Sequence, residues 1–366
     1  MSKSQFPNVS PQELAGQISS KKKSLKKLPT WADHYGIYYP PLLSVEQCSS
    51  EITASYKSAL IKGDTVVDLT GGFGVDSYYF AKKATSVIHC EINSALSDIA
   101  RHNASVLKAT NISFLPEDGL EYVRTSKALF GTLYIDPARR SKSGKVFLLK
   151  DCTPNVVDQL DMLLSKAERI IIKTSPLLDI SAGVKELKHV SEVQVISTRN
   201  ECKELLFIID RDYTGPIKIS SVAINNGIKQ ITFKEADEGS VVMADNKLER
   251  YLYEPDVALL KSGKFNAIAH HFGLKKLDTQ SQLYTAALFK EEFPGRIFQI
   301  DESISISKLK KQKDLIGNVI TRNYPDKPEQ LIKQFKIKPS NEHFLIFTKV
   351  TNLGYILLKT RILQYY

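Results

Sequence analysis

Val66-Val67-Asp68-Leu69-Thr70-Gly71-Gly72-Phe73-Gly74-Val75-Asp76 reads as an apolar strand that runs straight into a glycine-rich turn and opens a helix. Glycines at such a turn let the backbone approach a ligand closely, and the helix that follows points its first N–H groups at the ligand's polar atoms. A second apolar run, Ser86-Val87-Ile88-His89-Cys90, ends in Glu91, at the distance from which an acid grips a ribose diol. Together the two segments point to a cofactor that contains a nucleoside.

Glycine spacing narrows the choice. A dinucleotide fingerprint needs a third glycine so that the helix packs tightly and the pyrophosphate lies on its N-terminus. Here Gly72-Phe73-Gly74 is followed by Val75, Asp76 and Ser77, and that glycine is missing. Asp76 also puts a negative charge in the first helical turn, where it suits the helix dipole but repels a pyrophosphate. A cofactor without phosphates fits better.

Strand-like runs fall near 65–69, 86–91, 111–115, 131–136, 168–174, 192–198 and 203–210, with helix-like segments between the first six. Repeated βα alternation demands a parallel sheet with helices on both faces. Arg199-Asn200-Glu201 is too short for a crossover, so the last two runs must form an antiparallel hairpin. That ending is foreign to a standard dehydrogenase sheet.

The run Thr132-Leu133-Tyr134-Ile135 delivers Asp136-Pro137-Ala138-Arg139 to the strand edge where open α/β sheets bind ligands. Arg139, Arg140, Lys142, Lys145 and Lys150 follow with no acid before Asp151. Such a loop can close over phosphates or simply sit in solvent. Asp118, after the third strand, suits a ligand contact at the sheet edge and a helix N-cap equally. Lys173 and Ser175 end the next strand, where both substrate contact and an ordinary Ser-Pro turn are readings.

The chain has 366 residues, 42% hydrophobic and 25% charged, enough for two or three domains and unlike a disordered protein. A formal charge of +10 favours a polyanionic partner. Lys21, Lys22, Lys23, Lys26 and Lys27 form a basic run with helical spacing, and basic residues outnumber acids again from Lys308 to Arg361. No apolar run approaches the roughly twenty residues that cross a bilayer, and the first residues lack a signal-peptide core, so the cytoplasm is expected. Cys48, Cys90, Cys152 and Cys202 are scattered, with no metal-binding pair and no cysteine beside Asp136-Pro137. No thiolate nucleophile is therefore offered at that strand end.

Further on, two runs flank Asn225-Asn226-Gly227 as a hairpin, and helical spacing follows Pro255 through His271, with Tyr253-Glu254-Pro255-Asp256 read as the helix start. The C-terminal stretch reads as strand, helix, strand, helix and a hairpin around Asn352-Leu353-Gly354. Domains are therefore expected at 1–60, 61–211, 212–295 and 296–366.

Asp68 to Gly74 resembles motif I of class I S-adenosylmethionine-dependent methyltransferases, with Thr70 in place of the first glycine of the usual triplet. The resemblance implies a Rossmann-like class I methyltransferase sheet with an antiparallel last strand, a helical N-terminal segment and small α+β C-terminal domains. Asp136-Pro137 is similar to the Asp/Asn-Pro-Pro-aromatic motif of amino-methyltransferases, although Ala138 and Arg139 stand where the second proline and the aromatic would be. By that likeness Asp136 and the Pro137 carbonyl orient an acceptor nitrogen, and any stacking aromatic comes from Tyr134, Phe147 or another domain. Leu28-Pro29-Thr30-Trp31, Tyr39-Pro40-Pro41 and the C-terminal pattern resemble methyltransferases with a THUMP-like domain preceded by a ferredoxin-like one. The segments Asp68–Gly74, Glu91-Ile92-Asn93 and His102-Asn103-Ala104 are also similar to the trimethylguanosine-synthase-like RNA methyltransferases.

The resemblance implies S-adenosylmethionine as cofactor, RNA as partner and no metal. Thr70, Gly72 and Gly74 would shape the methionine pocket, with Asp68 near the sulfonium and amino group. Glu91 and Ile92 would take the ribose and its surroundings, and Asp118 the adenine. Arg139, Arg140, Lys142 and Lys145 would meet phosphate, with Lys173 and Ser175 near the substrate. A protein or small-molecule acceptor, or a basic RNA-binding protein that no longer catalyses, are the competing readings.

Overall fold

Each apolar run marked as a strand before residue 211 is one in the computed structural model, which describes residues 9–139, 148–237, 239–245, 247–309, 312 and 314–366. They are β1 (Thr65–Asp68), β2 (Ser86–Cys90), β3 (Ile112–Leu115), β4 (Phe130–Ile135), two short strands β5 (Ala138–Arg139) and β6 (Cys152–Thr153), then β7 (Ala167–Thr174), β8 (Val190–Thr198) and β9 (Glu201–Asp210). Helices precede and separate them: α1 (Pro11–Lys27), α2 (Pro29–Asp33), α3 (Leu42–Gln47), α4 (Glu51–Ser58), α5 (Val75–Ala81), α6 (Ser94–Val106), α7 (Gly119–Thr125), α8 (Val156–Lys166) and α9 (Ile180–Glu186). Two compact units result, one of residues 1–193 with 205–215 and one of residues 194–204 with 216–366.

In the first unit the strand order is β3-β2-β1-β4-β7-β9. Strands β1, β2, β3, β4 and β7 are parallel, whereas β9 runs antiparallel to β7, as the hairpin reading requires. Val66, Val67, Leu133, Ile135 and Ile170 to Ile172 are all fully buried, which is how a parallel strand covered on both faces reads. The chain adds β2 and β3 on one side of β1 and β4 on the other, and this switch in strand order leaves a crevice at the carboxyl ends of β1 and β4.

The N-terminal helices pack onto that crevice's edge. Trp31 is buried against Phe73 of the glycine turn, ring centroids 4.9 Å apart, within a cluster that includes Leu28, Tyr39, Val45, Ala54, Val75 and Tyr78. Helix α1 buries only Ser20 and Ser24 along its length, so polar bonds hold it. The Gln17 amide bonds the Tyr39 backbone in both directions, and the Ser20 hydroxyl donates to the Pro40 carbonyl. Lys21 to Lys27 lie on this helix, as its spacing suggested.

In the second unit β10 (Lys218–Ile224) and β11 (Ile228–Lys234) form the antiparallel hairpin around Asn225-Asn226-Gly227. Beyond them lie β12 (Val242–Met243), β13 (Tyr251–Pro255), α10 (Val257–Ser262), α11 (Phe265–Phe272), β14 (Lys275–Asp278), β15 (Ser281–Ala286), β16 (Gly295–Ser305), α12 (Ile306–Leu309), β17 (Asn318–Arg322), α13 (Pro328–Phe335), β18 (His343–Val350) and β19 (Gly354–Gln364). Eight of these strands make one sheet in the order β12-β14-β15-β13-β16-β19-β18-β17. The Tyr253–Asp256 stretch departs from its helical reading: Tyr253, Glu254 and Pro255 pair with β16, and only Asp256 caps a helix, accepting the Ala258 N–H. Among the described residues no helix is long and apolar enough to cross a membrane.

Gly131 marks how tightly the base of the first sheet is closed. A Cβ there would come within 2.2 Å of the Lys62 carbonyl oxygen and 2.8 Å of Gly63 Cα. Gly131→Ala is expected to cost roughly 1–3 kcal/mol of stability, measured by urea unfolding, because neither neighbour is a side chain that can swing away.

Candidate functional site

Strand β1 ends in Asp68, 1% exposed, whose two carboxylate oxygens hold the turn from beneath. Oδ1 accepts the Thr70 N–H at 3.2 Å and Oδ2 the Ser77 hydroxyl at 2.6 Å. Because Ser77 gives its proton to Asp68, its oxygen accepts from His89 Nδ1 at 3.0 Å. Burial, with a smaller effect of the Arg101 charge, pushes the His89 pKa down to about 3 and keeps the ring neutral. Burial likewise pushes Asp68 up to about 7, against the Ser77 bond that lowers it. Asp68 thus lies under the turn rather than on a cavity wall, the place expected of it near a cofactor's charged end.

The glycines are demanded by contact and conformation. A Cβ on Gly71 would sit 2.1 Å from the His89 ring, while Gly72 and Gly74 adopt φ of +53° and +84°. Glu91 reaches across from β2: its carboxylate accepts the Gly72 N–H at 2.9 Å and the Asn93 N–H at 2.8 Å. The acid therefore fixes the turn as well as facing the space above it.

That space is a cavity of about 380 Å³. Its walls include Thr70, Gly72, Gly74, Glu91, Ile92, Asp118 and Asp136, which brings together seven of the residues selected from sequence. Ile92 is 71% exposed and offers an apolar surface. Asp118 fills both of its readings, since it lines the cavity and caps α7 by accepting the Leu120 N–H at 2.8 Å. Asp76, Glu91, Asp118 and Asp136 line the cavity, and no lysine or arginine does among the described residues. Cys48 and Cys90 line it too, and burial pushes their thiols up to about 11 and about 12, so neither is a thiolate near neutral pH.

Asp136 stands at the end of β4 with its N–H donated to Thr70 Oγ1 at 2.7 Å. Its carboxylate pairs with Lys173 of β7. Pro137 is buried behind it, and Ala138 pairs with Thr153 in the short β5–β6 ladder, which carries Thr153 and Pro154 into the cavity wall. Ser175 stays in an exposed turn, accepting the Leu177 N–H, and does not line the cavity. Tyr134 is 1% exposed with its hydroxyl donated to Asp76, so it is unavailable to stack on an acceptor. Arg140, Lys142, Lys145 and Phe147, together with the Arg139 side chain, lie outside the described residues.

Sequence reading missed the cavity's buried charge network. Lys57 of α4 is fully buried, 3.0 Å from Asp76 Oδ1 and 2.6 Å from the Ser49 hydroxyl, with its ammonium 5.5 Å from the Tyr134 ring centre. Ser49 and Tyr134 both donate to Asp76 Oδ2, at 2.7 and 3.0 Å. Burial pushes Asp76 up, but the charges of Lys57 and Lys173 and the Ser49 bond outweigh it and hold its carboxyl below the ordinary range. Its ionised form is thereby favoured in spite of burial. The available signal was an acid at a helix position that must face inward, which needs a cation from elsewhere in the chain. Ser44, Gln47, Cys48 and Ser49 of the N-terminal segment complete the wall.

A nucleoside with a sulfonium and an amino acid tail fits such a cavity: the glycine turn and Glu91 form a close backbone cradle, and the acid-rich lining suits a cation while disfavouring a pyrophosphate. Comparison with known proteins agrees. A profile for a ferredoxin-like domain matches residues 251–294 and one described as THUMP domain-like matches residues 295–361. The crystal structure of a candidate methyltransferase from Porphyromonas gingivalis W83 is 32% identical, with a TM-score of 0.87 over 98% of this chain and 93% of that one. A protein of Mycobacterium tuberculosis named as an uncharacterized S-adenosylmethionine-dependent methyltransferase is 22% identical over 84% of this chain and 83% of its own. One of Mycoplasma mobile, named as an uncharacterized RNA methyltransferase, is 27% identical over 37% of this chain and 34% of its own.

The chain belongs to the class I S-adenosylmethionine-dependent methyltransferases that carry a C-terminal THUMP-like domain. It is an enzyme, and S-adenosylmethionine is its cofactor. Among the described residues no group of His, Cys, Asp and Glu is arranged to hold a metal ion.

Two outcomes follow from the buried charges. Lys57→Met leaves Asp76 charged without its cation and is expected to cost roughly 3–5 kcal/mol in urea unfolding, with part of the loss recovered when Asp76→Asn is added. Asp68 binds its proton more tightly folded than unfolded, so stability falls as pH rises from 3.8 to about 7. Asp68→Asn is expected to flatten the dependence of Tm on pH across that window.

Proposed function

We propose that this enzyme methylates a nitrogen of an RNA base, with Asp136 as the residue that orients the acceptor. One observation carries the reading: Asp136 lines the same cavity as Gly72 and Glu91, and its backbone is fastened to Thr70 of the glycine turn. When bound, S-adenosylmethionine supplies an electrophilic methyl group on a positively charged sulfur. Thr70, Gly72 and Gly74 shape the wall for its methionine part, Glu91 and Ile92 take the ribose side, and Asp118 the adenine. Asp68 acts from beneath, by fixing the turn.

Asp136 and the Pro137 carbonyl accept hydrogen bonds from the acceptor amine, which aims the nitrogen lone pair at the methyl group. As the nitrogen gains a methyl it must lose a proton, and the Asp136 carboxylate is the group beside it that can take one. RNA as the acceptor is supported by the charge of +10, the THUMP-like profile and the relative named as an RNA methyltransferase. Arg139, Arg140, Lys142 and Lys145 would meet its phosphates, and Lys173 and Ser175 lie on the acceptor side. The same reading divides the chain at 1–60, 61–211, 212–295 and 296–366, supported at its C-terminal end by the profile matches, and assigns the enzyme to the cytoplasm.

Isothermal titration of the folded protein with S-adenosylmethionine is expected to show saturable heat. Asp136→Ala should keep that heat and lose transfer of tritiated methyl groups into RNA by about a hundredfold or more. Label appearing in the protein or small-molecule fraction of an extract instead of in RNA would identify a different acceptor.

A further inference from the structure

Asp136 is gripped from both neighbouring strands. In the sheet β4 lies between β1 and β7, with Tyr134 opposite Asp68 on one side and Ile171 on the other. From the β1 side the Thr70 hydroxyl accepts the Asp136 N–H at 2.7 Å, and the Thr70 N–H is itself tied to buried Asp68. From the β7 side Lys173, its side chain 13% exposed, pairs with Asp136 Oδ2. Asp136 nevertheless remains in the cavity wall with a third of its side chain exposed.

We propose that Thr70 and Lys173 are positioning residues that fix Asp136 at its backbone and at one carboxylate oxygen, so that the carboxylate meets the acceptor in a single orientation. The proposal rests on the reading of Asp136 as the acceptor-orienting acid. A carboxylate at a strand end can rotate about its side-chain bonds, and productive transfer needs a lone pair aligned with the methyl group. The ammonium removes that rotation by holding one oxygen. The hydroxyl removes backbone play at the strand's end, where regular ladder bonding has stopped. This gives a physical reason for threonine where motif I usually has its first glycine: glycine has no hydroxyl to offer the Asp136 N–H. It also changes the place of both residues, since Thr70 then serves the acceptor side as well as the cofactor turn, and Lys173 acts through Asp136 rather than on the substrate directly.

Among the described residues the charged groups around Asp136 are Lys173 from β7, Asp68 from β1, Asp76 from α5 and, behind Asp76, Lys57 from α4, and Lys173 is the cation among them that touches it.

The test compares Lys173→Met, Lys173→Arg, Thr70→Val, Thr70→Ser and Asp136→Ala in the full chain. Single-turnover methyl transfer is measured on total RNA from cells lacking the gene. Cofactor affinity is measured by titration. Lys173→Met and Thr70→Val are expected to lose about a hundredfold in rate, Lys173→Met with cofactor affinity unchanged and Thr70→Val with a much smaller loss of affinity than of rate, and Lys173→Arg and Thr70→Ser to recover most of it. Wild-type rates in Lys173→Met and Thr70→Val, no recovery in Lys173→Arg and Thr70→Ser, or loss of cofactor binding in place of rate would overturn the proposal. Full activity in Asp136→Ala would instead overturn the reading beneath it.

Discussion

The buried carboxylate of Asp68 is the constraint from which the site is built. Its two oxygens hold Thr70 and Ser77, one on each side of the glycine turn, so strand, turn and helix α5 become a single rigid piece. Everything above depends on that piece. Gly71 can press on the His89 ring only because the turn is held down, and Gly72 can then present its N–H to Glu91. The same Thr70 whose amide is held by Asp68 spends its hydroxyl on Asp136. One buried acid thus links the glycine wall of the cavity to Asp136 across from it.

Burying an acid is costly unless its partners are fixed, and the cavity contains two solutions to that problem. Asp68 is satisfied by neutral donors, and its pKa rises to about 7 as burial dominates. Asp76 is satisfied by Lys57, Ser49 and Tyr134, and it stays ionised. The second arrangement joins α4, the segment before it, α5 and β4, so it also anchors the N-terminal helices against the cavity they help to enclose. A lysine–aspartate pair with no exposed lysine surface contributes little net stability by itself, but losing either half is expensive.

What was legible in the sequence was what short-range chemistry dictates. Alternating apolar runs and helical segments gave the strands to within a few residues, and the three-residue link at Arg199-Asn200-Glu201 forced the antiparallel ending. Thr70, Gly72, Gly74, Glu91, Ile92, Asp118 and Asp136 converge on one cavity because each sits at or just beyond a strand's carboxyl end, a position that the pattern of runs locates. Lys57 was not legible, because nothing local distinguishes a buried lysine on α4 from the exposed ones on α1. The Pro154 wall was also hidden, since it depends on Ala138 pairing with Thr153 across a long connection. Tyr134, a candidate to stack on the acceptor, faces inward toward Asp76 because strand alternation points it away from the crevice. Pro255 failed as a helix start because its strand pairing with Gly295 outweighs proline's local preference.

The central claim is that this cavity passes a methyl group to RNA beside Asp136. Nucleoside mass spectrometry of total RNA from cells with and without the gene tests it most directly. The account expects one methylated nucleoside to diminish or vanish when the gene is removed, to return with the wild-type chain and to stay absent with Asp136→Ala. Identical nucleoside profiles in all four strains would contradict it.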